Sequence, residues 1–162
     1  MSVTDTFRGA KSGLAFLFAY QNTVAQAIGM ERAMTLNTAM VQSFGAAQGK
    51  QLSKQLDMEE IPPHMAGSLA GEFLEQSLGI RTEAAEGDTQ EAVIKVGRCP
   101  IYEAAQALGM EHDAIEALCR AGSMPYMDAL IKQLNPDLDY DLRRFRASAD
   151  GSCIELIAVN GR

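Results

Sequence analysis

The pattern of hydrophobic and polar residues divides the chain into a helical first half and a mixed second half. In the first half, apolar residues recur every three or four positions, which is the period of an amphipathic helix. The pattern predicts helices over residues 12–29, 30–57 and 63–78. Gly29 and Gly79 are expected to end the first and third of these helices, and the Pro62-Pro63 pair to separate the last two.

From residue 80 the apolar period shortens to two, as in half-buried strands. Segments 80–84 and 91–97 flank a polar loop and predict a hairpin. Two or three helices follow, over residues 100–108, 111–120 and 124–134, with a break between the last two at Ala121-Gly122-Ser123. A second hairpin closes the chain, with strands over 138–148 and 152–159 around Asp150-Gly151. Its last strand is apolar at nearly every residue, which predicts a central place in the sheet.

This order of elements predicts a single α+β domain over residues 1–162, with N-terminal helices packed on an antiparallel sheet of about four strands. The helical half covers about residues 1–79 and the hairpin–helix–hairpin half about residues 80–162. A chain of 162 residues is long enough to bury a substantial core. Within the second helix, Gly45 and Gly49 indicate either close packing against another backbone or a local kink.

Composition and charge exclude several classes of partner. The formal net charge is −7 and the chain has no Trp, which argues against a surface for nucleic acid or for an anionic membrane. The apolar run over residues 14–20 is far too short to span a bilayer, and the N-terminus lacks the pattern of a signal peptide. Three widely separated cysteines are typical of reduced thiols. We therefore expect a cytoplasmic protein that binds neither nucleic acid nor membrane.

The three cysteines are the first candidates for chemistry. Cys99 lies between a predicted strand and a helix N-terminus, where the helix dipole would favour its thiolate. Cys119 lies near the end of a predicted helix, and Cys153 follows the last hairpin turn. One interpretation is a shared site that holds a metal such as zinc and leaves a fourth position for water. The alternative is that all three pack as small hydrophobic residues, because no C-x-x-C spacing is present.

Charged residues near the cysteines are the second candidates. Glu103 follows Cys99 by one helical turn, and Asp150 and Glu155 flank Cys153. Each carboxylate could move protons or complete a metal site, although Asp150 is most simply a turn former. A local cluster of arginines suits the carboxylate of a ligand, with solvated strand faces as the alternative. Its members are Arg98, Arg120, Arg143, Arg144 and Arg146.

Several short segments resemble a known family. They are Ile28-Gly29-Met30-Glu31-Arg32-Ala33 followed by Gly45 and Gly49, Arg98-Cys99-Pro100-Ile101-Tyr102, Ala107-Leu108-Gly109, the helix with Cys119, Asn135-Pro136, and the final turn and strand from Asp150. Together they are similar to the L-2-amino-thiazoline-4-carboxylic acid hydrolase-like family. A more distant resemblance is to the four-vinyl-reductase domain, a small-molecule-binding module. In some regulators that domain binds zinc through two similarly placed cysteines, a Glu and another Cys. Leu142 and Phe145 stand where that Glu and Cys would be expected.

The resemblance implies a hydrolase that opens a cyclic amidine-like ring by attack of water on its C=N carbon. We predict that Cys99, Cys119 and Cys153 hold a metal that activates water, or that Cys99 attacks directly. Asp150 or Glu103 would move protons. Arg98, Tyr102 and Arg144 are the candidate substrate-binding residues. The alternative is a non-catalytic small-molecule-binding or sensor module with a pocket between helices and sheet. A homodimer through the first two helices is compatible with either function.

Overall fold

The computed structural model describes residues 2–56 and 61–160, and for residues 84–86 the backbone alone. Within these ranges it contains six α-helices and four strands, which confirm the predicted α+β class. In chain order they are α1 (Val3–Ile28), α2 (Met30–Ser53), α3 (Pro63–Leu78), β1 (Thr82–Gly87), β2 (Glu91–Val96), α4 (Pro100–Ala107), α5 (His112–Leu118), α6 (Met124–Leu134), β3 (Leu138–Arg144) and β4 (Cys153–Val159). No helix of the described residues is both long enough and apolar enough to cross a membrane.

The four strands form one antiparallel sheet in the order β1-β2-β4-β3. Strand β4 pairs with β2 on one side and with β3 on the other, so its predicted central position is confirmed. Alternate residues of β2, β3 and β4 form one buried face of the sheet, and α3 and α6 pack against this face. That inner face is formed by Ala92, Ile94 and Val96 of β2, by Leu138, Tyr140 and Leu142 of β3, and by Cys153, Glu155 and Ile157 of β4.

The first two helices differ from the prediction at their outer ends. Helix α1 begins at Val3 rather than at residue 12, because Ser2 and Asp5 form a capping box that satisfies free amides at the helix start. Gly29, with φ of 88°, separates α1 from α2, as predicted. Helix α2 ends at Ser53, and the predicted end at residue 57 lies outside the described residues.

The glycines of α2 allow it to pack closely against α6. A β-carbon added at Gly45 would collide with the carbonyl oxygen of Tyr126, and one added at Gly49 would collide with that of Leu130. Both glycines are buried. Of the two interpretations of these glycines, close packing against another backbone is therefore the correct one.

The predicted break at residues 121–123 is wrong. The chain continues from α5 into α6 through a π-helical turn, Cys119–Ser123, in which the amide of Met124 donates to the carbonyl of Cys119. Pro125 has no amide hydrogen, so it cannot donate to the carbonyl of Ala121 one turn earlier. The hydroxyl of Thr38 on α2 donates to that carbonyl instead, at 2.9 Å. The wider turn and this bond keep the helix continuous.

Strand β3 is shorter than the predicted 138–148. It ends at Arg144, after an irregularity in its register against β4 between Leu142 and Arg144. Beyond that point Arg146 turns inward, so that its guanidinium donates to backbone carbonyls instead of continuing the strand. The loop between the two strands therefore contributes to the interior of the fold.

Candidate functional site

A cavity of about 450 Å³ lies between α1, α2, α6 and the inner face of the sheet. This volume is within the usual range of small-molecule sites, about 300–1,000 Å³. Apolar side chains form most of its wall, among them Leu14, Phe18, Met40, Phe73 and Met127. Its two charged residues in the described ranges are Glu155 on the sheet and Arg146 in the loop before β4, and Gln21 and Asn37 line it from α1 and α2.

All three cysteines line this one cavity. Cys99 precedes α4, Cys119 is the first residue of the π-helical turn, and Cys153 begins β4. Each is buried and unpaired. Three separate elements therefore contribute a cysteine to the wall of the same cavity, and a shared site formed by the three thiols stays a prediction.

Burial keeps two of these thiols protonated. It raises the pKa of Cys99 to about 11, although the amides of Tyr102 and Ile101 and the charge of Arg146 act in the opposite direction. Burial likewise raises the pKa of Cys119 far above its ordinary value, and the neighbouring thiols add to the effect. The expectation that the helix N-terminus favours the Cys99 thiolate is thus corrected: desolvation outweighs the helix dipole.

The side chains as placed do not fit a zinc ion. Within residues 2–56 and 61–160, no group of three or more His, Cys, Asp or Glu side chains is arranged to hold a metal. Zinc ligation by Cys99, Cys119 and Cys153 stays a prediction, and no chemistry below is routed through it.

Glu155 is the acidic residue of the cavity. Register places it between Ile94 and Leu142, at the centre of the otherwise apolar inner face of the sheet. It is 6% exposed, and its Oε2 accepts a hydrogen bond from the hydroxyl of Tyr140. Burial raises the pKa of Glu155 to about 7, against the opposing effects of Tyr140 and Arg146. The carboxyl group is therefore able to change protonation state near neutral pH.

Arg146 is the basic residue of the cavity and is 1% exposed. Its guanidinium donates to the carbonyls of Gly97 at 2.6 Å and Gly151 at 3.1 Å, with a longer contact to Val96. It also lies 5.6 Å from the centre of the Tyr102 ring. These contacts fix a positive charge at the cavity wall and join β2 to the loop between β3 and β4.

Four of the predicted site residues do not line the cavity: Arg98, Glu103, Asp150 and Arg144. Glu103 pairs with Arg98 and with Lys11, whose Nζ lies 2.9 Å from Oε2. Partial burial raises the pKa of Glu103, but these two cations outweigh it, so the net pKa is lowered. Asp150 and Arg144 are exposed. The structure therefore does not bring the predicted proton-transfer groups to Cys99 inside the cavity.

Tyr102, by contrast, does line the cavity, and its role in substrate binding stays a prediction. The hydroxyl of Tyr102 is 3.3 Å from Nδ1 of His112. Sequence reasoning did not single out His112 or Tyr140, and it named Glu155 and Arg146 only among other charged residues. Strand alternation could have identified Glu155, because residues two apart on a strand point to the same face. Glu155 is two residues from both Cys153 and Ile157 on β4.

Comparisons with known proteins bear on the fold and the family. Among curated proteins, none matches the sequence. The crystal structure of the phenol-responsive sensory domain of the transcription activator PoxR with phenol matches with a TM-score of 0.58 and 14% identity. The match covers 90% of this chain and 74% of that one, and at this identity it shows the fold alone. The family model of L-2-amino-thiazoline-4-carboxylic acid hydrolase matches residues 10–152. This match covers most of the chain, which therefore belongs to the L-2-amino-thiazoline-4-carboxylic acid hydrolase family.

Proposed function

We propose that the protein binds one small, predominantly apolar organic molecule in the cavity between α1, α2, α6 and the sheet. The observation that carries this proposal is the cavity itself, about 450 Å³ with a mostly apolar wall and a few polar groups, among them the buried Glu155 and Arg146. An apolar wall favours ligands that leave water readily, and a few fixed polar groups orient them. Glu155, Arg146 and Tyr102 would supply that orientation.

Two further observations support binding. The structural neighbour is a phenol-responsive sensory domain with phenol, so this architecture accommodates a small aromatic molecule in another protein. In addition, the π-helical turn places Cys119, Gly122 and Ser123 on the cavity wall. Such turns inside α-helices recur at functional sites. A sensor or binding module therefore accounts for more of the geometry than a catalytic centre does.

Hydrolysis is the second candidate, and family membership favours it. Its chemistry would differ from the sequence prediction, since Cys99 is a protonated thiol and therefore a weak nucleophile. Glu155 lines the cavity and has a pKa of about 7, so it is better placed than Glu103 or Asp150, which do not line the cavity, to take a proton from an attacking water. Turnover of 2-amino-thiazoline-4-carboxylate that is lost in Glu155→Gln would support this route. Turnover that survives Cys→Ser changes at all three cysteines would exclude a cysteine mechanism.

We also propose that a second copy of the chain is a partner, through the exposed face of α1 and α2. Eight of the nine exposed large hydrophobic residues in the described ranges lie on these helices: Phe16, Tyr20, Ile28, Met30, Met34, Leu36, Met40 and Phe44. The three aromatic residues alone expose roughly 400 Å². Together with five aliphatic side chains, this approaches the ~800 Å² that each partner of a stable complex buries. Met40 and Phe44 also line the cavity, so a second copy would cover its mouth.

We propose a cytoplasmic location because the three cysteines are free thiols. All three are buried and unpaired, so the fold uses no disulfide among them. Free buried thiols are typical of proteins that stay in a reducing compartment.

The test of the proposed function is a calorimetric titration of the protein with phenol and with cyclohexanol. Saturable binding of either compound is expected. Ser123→Phe places a large side chain on the cavity wall and should abolish binding. The matched control is Ser68→Phe on the exposed side of α3, which should bind as the unmodified protein does. Equal loss of binding in both variants, or no binding at all, would contradict the proposal.

A further inference from the structure

We propose that the ligand of this cavity carries a neutral hydroxyl group, which donates a hydrogen bond to Oε1 of Glu155. This inference rests on the proposed small-molecule binding and names the chemical class that the same cavity would select.

The two oxygens of Glu155 have different surroundings. Oε2 accepts the hydroxyl of Tyr140, whereas Oε1 accepts no hydrogen bond from the described residues. Yet no fully buried side-chain nitrogen or oxygen of these residues lacks a partner, so Oε1 is not a fully enclosed atom. Because Glu155 is 6% exposed and lines the cavity, the accessible surface of Oε1 faces the cavity. One strong acceptor is therefore offered to a ligand.

The apolar surroundings make this acceptor selective. Ile94 and Leu142 flank Glu155 on the paired strands, and neither side chain can donate a hydrogen bond. A ligand that covers Oε1 without donating to it would leave a desolvated acceptor unpaired, which is costly. A site of this kind rejects an analogue that lacks the donor far more strongly than it rejects a small change in apolar size.

The charges at the cavity wall favour a neutral donor over an ion. Arg146 is almost fully buried, and no carboxylate of the described residues lies within ion-pair distance of it. The positive charge of Arg146 attracts the carboxylate of Glu155 over a longer distance, which acts to lower the pKa of Glu155. An ammonium ligand would add a second positive charge near Arg146, and a carboxylate ligand would meet the acidic Glu155. A hydroxyl group adds no charge.

The experiment compares phenol with toluene, which carries a methyl group in place of the hydroxyl. Calorimetry of the full chain at pH 8, above the pKa of about 7 of Glu155, is expected to show about tenfold to a hundredfold tighter binding of phenol, the effect of a hydrogen bond to a charged group. In Glu155→Leu the two affinities should become nearly equal, because phenol loses its hydrogen-bond acceptor and toluene no longer leaves a buried acceptor unpaired. Tyr140→Phe, which leaves Oε1 untouched, should keep the preference for phenol.

The outcomes separate this inference from the proposed function. If toluene binds the unmodified protein as tightly as phenol, or if Glu155→Leu keeps the preference, the hydroxyl assignment fails while cavity binding stands. If benzylammonium binds as tightly as benzyl alcohol, the neutral class fails. If none of these probes binds, the proposed function itself fails. Should Glu155→Leu not fold, Glu155→Gln keeps the shape without the charge and should reduce the phenol preference at least about threefold.

Discussion

The hydroxyl of Tyr140 donates a hydrogen bond to Glu155 across the β3–β4 pair, within the inner face of the sheet. Tyr140 lies opposite Ile157, which is two residues from Glu155 on β4. Tyr140 and Glu155 are therefore diagonal neighbours on that face. Both side chains are buried, and burial raises the pKa of both groups. This pair places a carboxyl group that titrates near neutral pH in the middle of an apolar surface.

Stability is expected to fall as pH rises from 5 to 8. Glu155 titrates at about 7 in the folded protein, against an ordinary value of 4.5. Its stabilising contribution is therefore complete below about pH 4.5 and is lost as pH rises through about 7. Full loss corresponds to about 3 kcal/mol in the free energy of unfolding. Urea denaturation at several pH values measures this difference.

Glu155→Gln is expected to remove this dependence on pH, because the amide does not titrate in this range. Glu75→Gln, at an exposed position of α3, is the matched control and should behave as the unmodified protein. A slope that persists in Glu155→Gln would show that another group causes it.

The close approach of α2 and α6 predicts opposite effects for two glycine substitutions. Gly45→Ala should destabilise the protein by about 3 kcal/mol or more, because the new methyl group collides with the carbonyl of Tyr126. Gly13→Ala lies inside α1 with no atom in reach of the new methyl group, and should stabilise by up to ~1 kcal/mol. Thermal and chemical denaturation compare the two variants. Similar effects at both positions would contradict the close packing.

The fold was predictable from the sequence wherever local chemistry decides it. Strand β4 is apolar along its length and proved central, and Gly29 and Gly79 end helices at positions of positive φ. The π-helical turn was not predictable, because Ala121-Gly122-Ser123 favours a break locally. It is the hydroxyl of Thr38, from another helix, that bonds the carbonyl left without a donor.

The site was less predictable than the fold. Sequence reasoning brought Cys99, Cys119 and Cys153 together, and all three do line one cavity. It named Glu103, Asp150 and Glu155 because each lies close to a cysteine along the chain, and it assigned proton transfer to Glu103 or Asp150. Orientation decides instead: Glu103 is paired with surface cations, whereas the strand alternation points Glu155 inward with Cys153. Alternation on a strand predicted to be central would have identified Glu155.

Dimerisation through α1 and α2 predicts a large effect of one surface substitution. The unmodified protein is expected to have twice the 17.5 kDa mass of one chain in analytical ultracentrifugation. Phe16→Asp places a charge on a side chain that is 78% exposed in the single chain and should give monomers. Leu108→Asp, at an exposed apolar residue outside α1 and α2, should leave the dimer intact. A monomeric unmodified protein would contradict the proposed partner.

The common location of the thiols predicts that one ligand protects all of them. In the native protein, Cys99, Cys119 and Cys153 should react slowly with 5,5′-dithiobis(2-nitrobenzoate), because all are buried. Saturating phenol should slow each reaction further, since all three line the cavity. Ser68→Cys adds an exposed thiol that should react quickly with or without phenol. Protection of only one native thiol, or of none, would place the ligand elsewhere.

The most direct test of binding in this cavity is a ¹³C-methyl methionine NMR titration with phenol. Met40, Met124 and Met127 line the cavity, whereas Met65 and Met110 do not. Binding in the cavity should shift the methyl signals of the first three residues with one common saturation curve and leave those of Met65 and Met110 in place. Shifts at Met65 and Met110 with unchanged signals from the cavity methionines, or no saturable shift at any of them, would contradict the account.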